Sequence, residues 1–192
     1  MINIAVEGES DREAAAAVVR TAGHEVAKIV VAGGKSRLDP KIPNYNTAAA
    51  YAPWVVFRDS DSDCPVELLR KLAPPLEDWN KSFCLRIAKS MTESWLMADS
   101  ASFSKYFKIK AKIIPQDPDA LTHAKRALLQ LCKDSSSRDI QRDMVAADGR
   151  AGPLYASRLN EFASQHWDVT AAANRSNSLA RALKRIGTIS FP

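Results

Sequence analysis

The first hundred residues alternate short apolar runs with amphipathic segments, a pattern typical of β–α–β units around a mainly parallel sheet. The apolar runs predict strands over residues 2–6, 25–32, 54–57 and 82–87, and the amphipathic segments predict helices over 14–22, 47–51, 66–72 and 93–98. Ser10 followed by Glu13 indicates a capping box before the first helix, and Gly23 is placed to end it. The pattern therefore predicts an α/β fold with helices flanking the sheet.

The pattern changes after residue 99, where strand-like runs nearly vanish. Four later segments have helical periodicity, around residues 119–132, 135–146, 154–164 and 176–186. In the first half, the glycines and prolines between residues 33 and 43 predict a loop. We therefore expect an α/β domain over residues 1–100 and a basic helical extension over 101–192.

The net charge of +5 is divided unevenly, because residues 1–100 sum to −2 and residues 101–192 to +7. An acidic half that holds a cation beside a basic half that holds phosphates suits a metal-dependent enzyme acting on nucleic acid. A merely solvated basic helical surface explains the charge equally well. The basic residues in question form two runs: Lys105, Lys108, Lys110 and Lys112, then Arg175, Arg181, Lys184 and Arg185.

The composition indicates a globular protein of the reducing cytoplasm. No stretch approaches the ~20 apolar residues of a membrane helix, and Glu7 interrupts the N-terminal apolar run before a signal-peptide core could form. Cys64, Cys84 and Cys132 are odd in number and far apart, so they predict neither a disulfide framework nor a zinc knuckle. We expect a cytoplasmic protein without a membrane span.

Acidic residues follow two of the predicted strands. Glu7 and Gly8 come after the first strand, and Asp59, Asp61 and Asp63 come after the third at alternate positions. Ligands of parallel α/β sheets bind at the carboxyl ends of the strands, where crowded carboxylates call for a hard cation such as Mg²⁺ or Mn²⁺. A solvated acidic turn is the alternative interpretation of the second motif alone.

Other motifs fit the chain poorly. Gly33-Gly34-Lys35-Ser36 ends like a phosphate-binding P-loop, but the upstream glycine of that motif would fall at Lys28. An EF-hand loop starting at Asp59 would need Gly and Glu where the chain has Cys64 and Arg70. The chain has no GxSxG elbow for a serine hydrolase. These classes are therefore disfavoured.

The two acidic motifs carry a resemblance. Glu7-Gly8-Glu9-Ser10-Asp11 and Asp59-Ser60-Asp61 resemble the Toprim domain shared by topoisomerases, primases and overcoming-lysogenization-defect nucleases. Arg86-Ile87-Ala88 followed by Glu93-Ser94-Trp95-Leu96 is similar to the signature of small Toprim-like proteins that are commonly encoded beside an ATPase in bacterial defence loci. Gly33-Gly34-Lys35-Ser36 and Ser176-Asn177-Ser178-Leu179 match the same family, so the resemblance spans nearly the whole chain.

The resemblance implies a Toprim-like sheet with a site for Mg²⁺ or Mn²⁺. Carried over to this chain, Glu7 would be the catalytic acid–base or a metal ligand, and Asp59 and Asp61 would be catalytic metal ligands. Asp63 would either support the cation or cap the helix after Pro65.

Three further residues take roles from the same resemblance. Glu93 would either complete a second metal position or bind a basic side chain. Arg86 would contact a substrate phosphate or form a salt bridge to Glu93 or an Asp, and Lys35 is assigned to substrate binding.

The function implied is that of a metal-dependent nuclease that hydrolyses phosphodiesters of DNA or RNA. The same resemblance implies an effector of bacterial anti-phage defence with an AAA- or ABC-type ATPase partner. The alternative is a non-catalytic Toprim-like subunit that regulates an ATPase complex. The nuclease relatives form dimers or larger assemblies, which makes a homodimer a further expectation.

Overall fold

The computed structural model describes residues 1–61, 63–73, 75–89 and 92–191. Within these ranges the strands are β1 (Ile2–Val6), β2 (Val26–Val31), β3 (Trp54–Asp59) and β4 (Phe83–Ala88). They form one sheet in the order β2-β1-β3-β4, and each neighbouring pair is parallel. The α/β prediction is confirmed: a parallel sheet with flanking helices precedes a mainly helical C-terminal half.

The helices of the described residues cover both faces of the sheet and make up most of the second half. They are α1 (Arg12–Thr21), α2 (Lys35–Leu38), α3 (Ile42–Ala48), α4 (Pro65–Leu72), α5 (Thr92–Ala98), α6 (Ser100–Phe107), α7 (Ala124–Lys133), α8 (Arg138–Met144), α9 (Tyr155–Gln165), α10 (Val169–Ala173) and α11 (Asn177–Ile186). The sequence pattern does not predict α6 and α10. Short 3₁₀ turns include Glu9–Asp11 and Asp39–Lys41.

Alternation along the strands sends side chains into two apolar layers. In β1, Ile4 packs with α1 and the later helices, whereas Ala5 packs with α3 and α4 on the opposite face. The first layer continues into the second half of the chain, where Phe103 and Phe162 belong to the same core. One apolar core therefore joins the sheet to helices on both sides of residue 100.

The loop predicted over residues 33–43 is wrong. This segment forms α2, a 3₁₀ turn and the start of α3. Pro40 and Pro43 occupy first-turn positions of the 3₁₀ turn and of α3, where a missing N–H costs no hydrogen bond. The prolines start helices here, so the helix expected over 47–51 begins earlier and covers Ile42–Ala48.

The predicted capping box is also wrong. Helix α1 begins at Arg12 with Asp11 as its N-cap, and no side chain caps it there. Asp11 instead accepts a 2.8 Å hydrogen bond from the Gly8 N–H, and the Glu13 N–H donates to Asn160 Oδ1.

None of the described helices is both long and apolar enough to cross a membrane.

Candidate active site

The carboxyl edge of the sheet brings three of the predicted acids together. Glu7 directly follows β1, and Asp59 is the last residue of the neighbouring strand β3. Glu93 lies in the first turn of α5, which begins shortly after β4. Together with Asp11, these carboxylates form a group that we call the acidic cluster: Glu7, Asp11, Asp59 and Glu93.

The acidic cluster is buried and its members repel one another. Asp11 is 7% exposed and Glu93 is 3% exposed. Burial, followed by the charge of Glu93, raises the pKa of Asp11 to about 7. Burial, followed by the charge of Asp11, raises the pKa of Asp59 well above its ordinary value. These carboxylates repel one another in surroundings that water screens poorly, and a bound cation or an added proton would reduce that repulsion.

Hydrogen bonds from within the protein hold three members of the cluster in place. Asp59 Oδ1 accepts bonds from the backbone N–H and the hydroxyl of Thr92, at 2.9 and 3.0 Å. The Tyr155 hydroxyl donates to Glu93 Oε1 at 2.6 Å, and Asp11 is held by the Gly8 N–H. These bonds orient the carboxylates without supplying a full positive charge.

A second layer of charges borders the cluster on the side of β2 and α2. The Arg58 side chain is 3% exposed, and its Nη1 lies 3.3 Å from Glu7 Oε2. Its Nε lies 2.9 Å from Asp39 Oδ1, and its Nη1 is 3.5 Å from Asp61 Oδ2. Lys35 Nζ lies 2.9 Å from Asp61 Oδ2. Arg58 therefore neutralises Glu7 and Asp39 in part, and Arg58 and Lys35 together neutralise Asp61.

Glu7 joins the two layers. Burial raises its pKa, and the positive charge of Arg58 opposes that effect. Although Arg58 is close, Glu7 Oε2 is buried and accepts no hydrogen bond from any residue that the structure describes. This oxygen therefore faces the Arg58 charge without a hydrogen bond, and an added cation or a water proton would supply the missing partner.

The remaining predicted site residues lie elsewhere. Asp61 faces Arg58 and Lys35, with its backbone at a φ of 53°. Asp63 is exposed, and the N-cap of α4 is Cys64, so Asp63 does not cap that helix. Arg86 lies on β4 and makes no ion pair with Glu93 or with any other described acid.

Sequence reasoning missed Asp11 as a member of the site. The predicted capping box over residues 10–13 paired Ser10 with Glu13, which made Asp11 an ordinary residue of a helix start. The 3₁₀ turn Glu9–Asp11 instead folds the chain back so that Asp11 bonds the Gly8 N–H and faces the other carboxylates. The available signal was an acid four residues after Glu7 in a chain segment that must turn sharply.

The acidic cluster fits a hard divalent cation in its donor chemistry. All of its donors are carboxylate oxygens, and one of them, Glu7 Oε2, accepts no hydrogen bond from the described residues. Within the described ranges, however, no three His, Cys, Asp or Glu side chains are grouped closely enough to hold a metal ion together. Mg²⁺ is often held by one or two carboxylates, with waters and substrate phosphates as its other ligands. Glu7 and Asp59 are the pair that suits such a site.

Comparison with known proteins identifies no relative. No family model, no curated protein and no solved structure matches the chain significantly. The fold and the site therefore stand on the geometry described above.

Proposed function

We propose that this protein is a metal-dependent phosphodiesterase that cleaves nucleic acid, with a Toprim-like catalytic centre at the acidic cluster. The observation that carries the proposal is a cluster of four mutually repelling carboxylates at the carboxyl edge of the sheet, of which Asp11 and Glu93 are buried and Glu7 and Asp59 are half-buried. Such a cluster costs folding stability, and carboxyl groups with perturbed pKa values concentrate at functional sites. A catalytic role explains why this chain has the cluster. The resemblance of the two acidic motifs to the Toprim domain supports the same proposal.

In this proposal, Glu7 and Asp59 hold Mg²⁺ or Mn²⁺. The cation would neutralise charge on the scissile phosphate and lower the pKa of a bound water. Thr92 orients Asp59 through two hydrogen bonds, so that carboxylate would need little reorganisation on binding.

Asp11 is suited to proton transfer. Burial and the charge of Glu93 raise the pKa of Asp11 in the metal-free cluster, so this carboxyl group holds a proton more readily than an ordinary aspartate, as a general acid or base must. Its hydrogen bond from the Gly8 N–H keeps the group at the cluster in both protonation states. We assign Asp11 the task of accepting the proton of the attacking water or of returning it to the leaving oxygen.

The wider biological role rests on the resemblance alone. It suggests a cytoplasmic effector of anti-phage defence that works with an ATPase partner, and it suggests self-association into a homodimer. Glu93 remains a proposed metal ligand and Lys35 a proposed substrate contact, whereas Asp61 and Asp63 are proposed only as outer charges that support the cation without ligating it. Lys35 would reach substrate only after leaving Asp61.

The decisive experiment is cleavage of plasmid DNA, single-stranded DNA and total tRNA by the purified protein with Mg²⁺, Mn²⁺ or EDTA. We expect cleavage that requires metal and that falls at least 100-fold in Glu7→Gln and Asp59→Asn. Glu67→Gln, at an exposed position in α4, is the matched control and should keep full activity. Cleavage that persists in EDTA or in both cluster variants would refute the proposal.

One observation favours a second candidate function, that of a non-catalytic regulatory subunit. Arg58 already neutralises Glu7 and Asp61, so part of the acidic edge is stable without metal. A protein that binds an ATPase but leaves every substrate intact, with and without that partner, would support this alternative.

A further inference from the structure

A cleft with a volume of about 1030 Å³ lies beside β4, and we call it the β4–α11 cleft. One wall comes from α4, the floor from the end of β4, and the other wall from the chain around the start of α11. β4 is an edge strand of the sheet, and its last residue Ala88 pairs with Asp59. The cleft therefore starts at the sheet edge that carries the acidic cluster.

Three basic side chains line this cleft and have no acidic partner in the part of the chain that the structure describes. Arg86, Lys89 and Arg181 all contribute to its lining, and none forms an ion pair with a residue that the structure describes. Arg86 Nε is buried and has no hydrogen-bond acceptor there. Burial, followed by the positive charges of Arg185 and Arg181, lowers the pKa of Arg86. Arg86 is half-buried among other cations, and its shielded Nε has no counterion among the described residues, although buried charges are normally paired.

The other charged residues of the cleft are accounted for differently. Arg175 donates to the carbonyl oxygens of Ala98 and Pro115, so it serves the fold. Asp119 is buried and accepts hydrogen bonds from Ser176 and from the Ser178 N–H and hydroxyl. Asp117 is exposed at the rim. The surplus of unpaired positive charge is thus concentrated on the side formed by β4 and α11.

The facing wall is apolar. Val66 is 55% exposed although it is aliphatic, and Leu69 and Pro65 line the same side. A cleft with one cationic and one apolar wall suits a ligand whose charges lie along one side and whose rings lie along the other. A nucleic-acid strand has that arrangement, whereas inorganic phosphate would use the cationic wall alone.

We propose that the β4–α11 cleft binds the phosphodiester backbone of a single nucleic-acid strand, with Arg86, Lys89 and Arg181 on its phosphates. The sugars and bases then lie against α4, and the strand leads towards Asp59. This inference rests on the proposed function for the direction of the strand. The binding of phosphates is inferred from the cleft alone and does not depend on the proposed function.

The test is binding of a fluorescein-labelled single-stranded DNA to the full-length protein in EDTA, measured by anisotropy across a series of salt concentrations. We expect Arg181→Met and Arg86→Met each to weaken binding about tenfold and to lower the salt slope by roughly 0.7, the value for one phosphate of a single strand. Lys133→Met removes an exposed charge outside the cleft and should change the affinity less than twofold. Arg181 is exposed, so its variant keeps the test valid if Arg86→Met fails to fold.

The outcomes separate this inference from the proposed function, because binding is measured without metal. Binding that depends on Arg86 and Arg181 in a protein that cleaves nothing supports the cleft and refutes the nuclease. Unchanged binding in both variants refutes the cleft, even if the protein cleaves nucleic acid. Displacement of the DNA by AMP at an equal phosphate concentration would also refute it, because a small-molecule site would then explain the cations.

Discussion

The hydroxyl of Tyr155 donates a 2.6 Å hydrogen bond to Glu93 Oε1, and both residues are buried. Tyr155 is the first residue of α9, in the helical second half, whereas Glu93 is in α5, next to the sheet. The bond therefore ties the second half of the chain to the acidic cluster. Burial, followed by the negative charge of Glu93, raises the pKa of Tyr155 well above its ordinary value, so the hydroxyl remains a donor at neutral pH.

Tyr155→Phe should destabilise the protein. Removing the hydroxyl leaves a buried carboxylate oxygen without its donor, which costs about 1–3 kcal/mol. Urea unfolding measures the change in free energy. Tyr45→Phe is the matched control, because the Tyr45 hydroxyl has no hydrogen bond within the described residues and we expect a change below about 0.5 kcal/mol. Equal losses in both variants would show that the bond to Glu93 contributes nothing.

Asp11→Asn should stabilise the metal-free protein at pH 8 and much less at pH 4. The pKa of Asp11 is about 7 in the folded state and near 4 in the unfolded state, so the folded protein binds more protons between these values. The free energy of unfolding therefore falls as pH rises from about 4 to about 7. Asparagine keeps an acceptor for the Gly8 N–H but carries no charge.

The expected gain of Asp11→Asn at pH 8 is roughly 2–4 kcal/mol, measured by urea unfolding in EDTA. Glu67→Gln, on the exposed face of α4, should show no such dependence on pH. A loss of stability in Asp11→Asn at pH 8 would mean that the carboxylate is stabilised at the cluster, against the repulsion described above.

The sheet could be predicted from the sequence because its strands are continuous apolar runs. A parallel strand covered on both faces needs apolar residues at consecutive positions, and all five residues of β1 are buried. Glu7 and Asp59 could be predicted with the sheet, since the carboxyl ends of neighbouring parallel strands lie at one edge. Prolines were a less reliable guide to where loops and helices begin, because Pro40 and Pro43 fit a loop and the start of a helix equally well.

The rest of the site depends on contacts that no local pattern contains. The partner of Glu93 lies 62 residues away, in a helix whose periodicity predicts only that one face is buried. Arg58 is the penultimate residue of a buried strand, and that position predicts nothing about its partners, yet it pairs with Asp61 in the following loop and with Glu7 and Asp39 from two other segments. Such pairings depend on how the segments pack, which spacing along the chain does not encode.

Substitutions of the three acids at the end of β3 and just after it, Asp59, Asp61 and Asp63, should differ in their effect on activity. Asp59→Asn removes a carboxylate of the cluster and should lower kcat/KM at least 100-fold. Asp61→Asn acts through Arg58 and Lys35 and should lower kcat/KM by about tenfold or less. Asp63→Asn should be close to the parent protein because Asp63 is exposed.

Steady-state cleavage of the best substrate measures this order. If Asp63→Asn were as inactive as Asp59→Asn, the loop that carries Asp61 and Asp63 would have to close on the metal during catalysis. If Asp61→Asn and Asp59→Asn were equally inactive, Asp61 would be a direct ligand, as its place in the motif suggests.

Arg58→Met should destabilise the metal-free protein and increase its response to Mg²⁺. Arg58 is 3% exposed and pairs with the half-buried Glu7, Asp39 and Asp61, so its removal leaves Glu7 and Asp39 without their positive partner, at a cost of about 3 kcal/mol. A divalent cation can replace the lost charge at Glu7, which the parent protein already neutralises in part. We therefore expect Mg²⁺ to raise the melting temperature of Arg58→Met by more degrees than that of the parent protein.

Differential scanning fluorimetry with and without Mg²⁺ measures both effects, and Arg142→Met is the matched control. Arg142 also lies between two acids, Asp139 and Asp143, but its side chain is 70% exposed, so its loss should cost no more than about 1 kcal/mol and bring no added response to Mg²⁺. If Mg²⁺ stabilised Arg58→Met no more than the parent protein, the cation would bind without contacting Glu7. The guanidinium would then be a permanent part of the fold and would not compete with the metal.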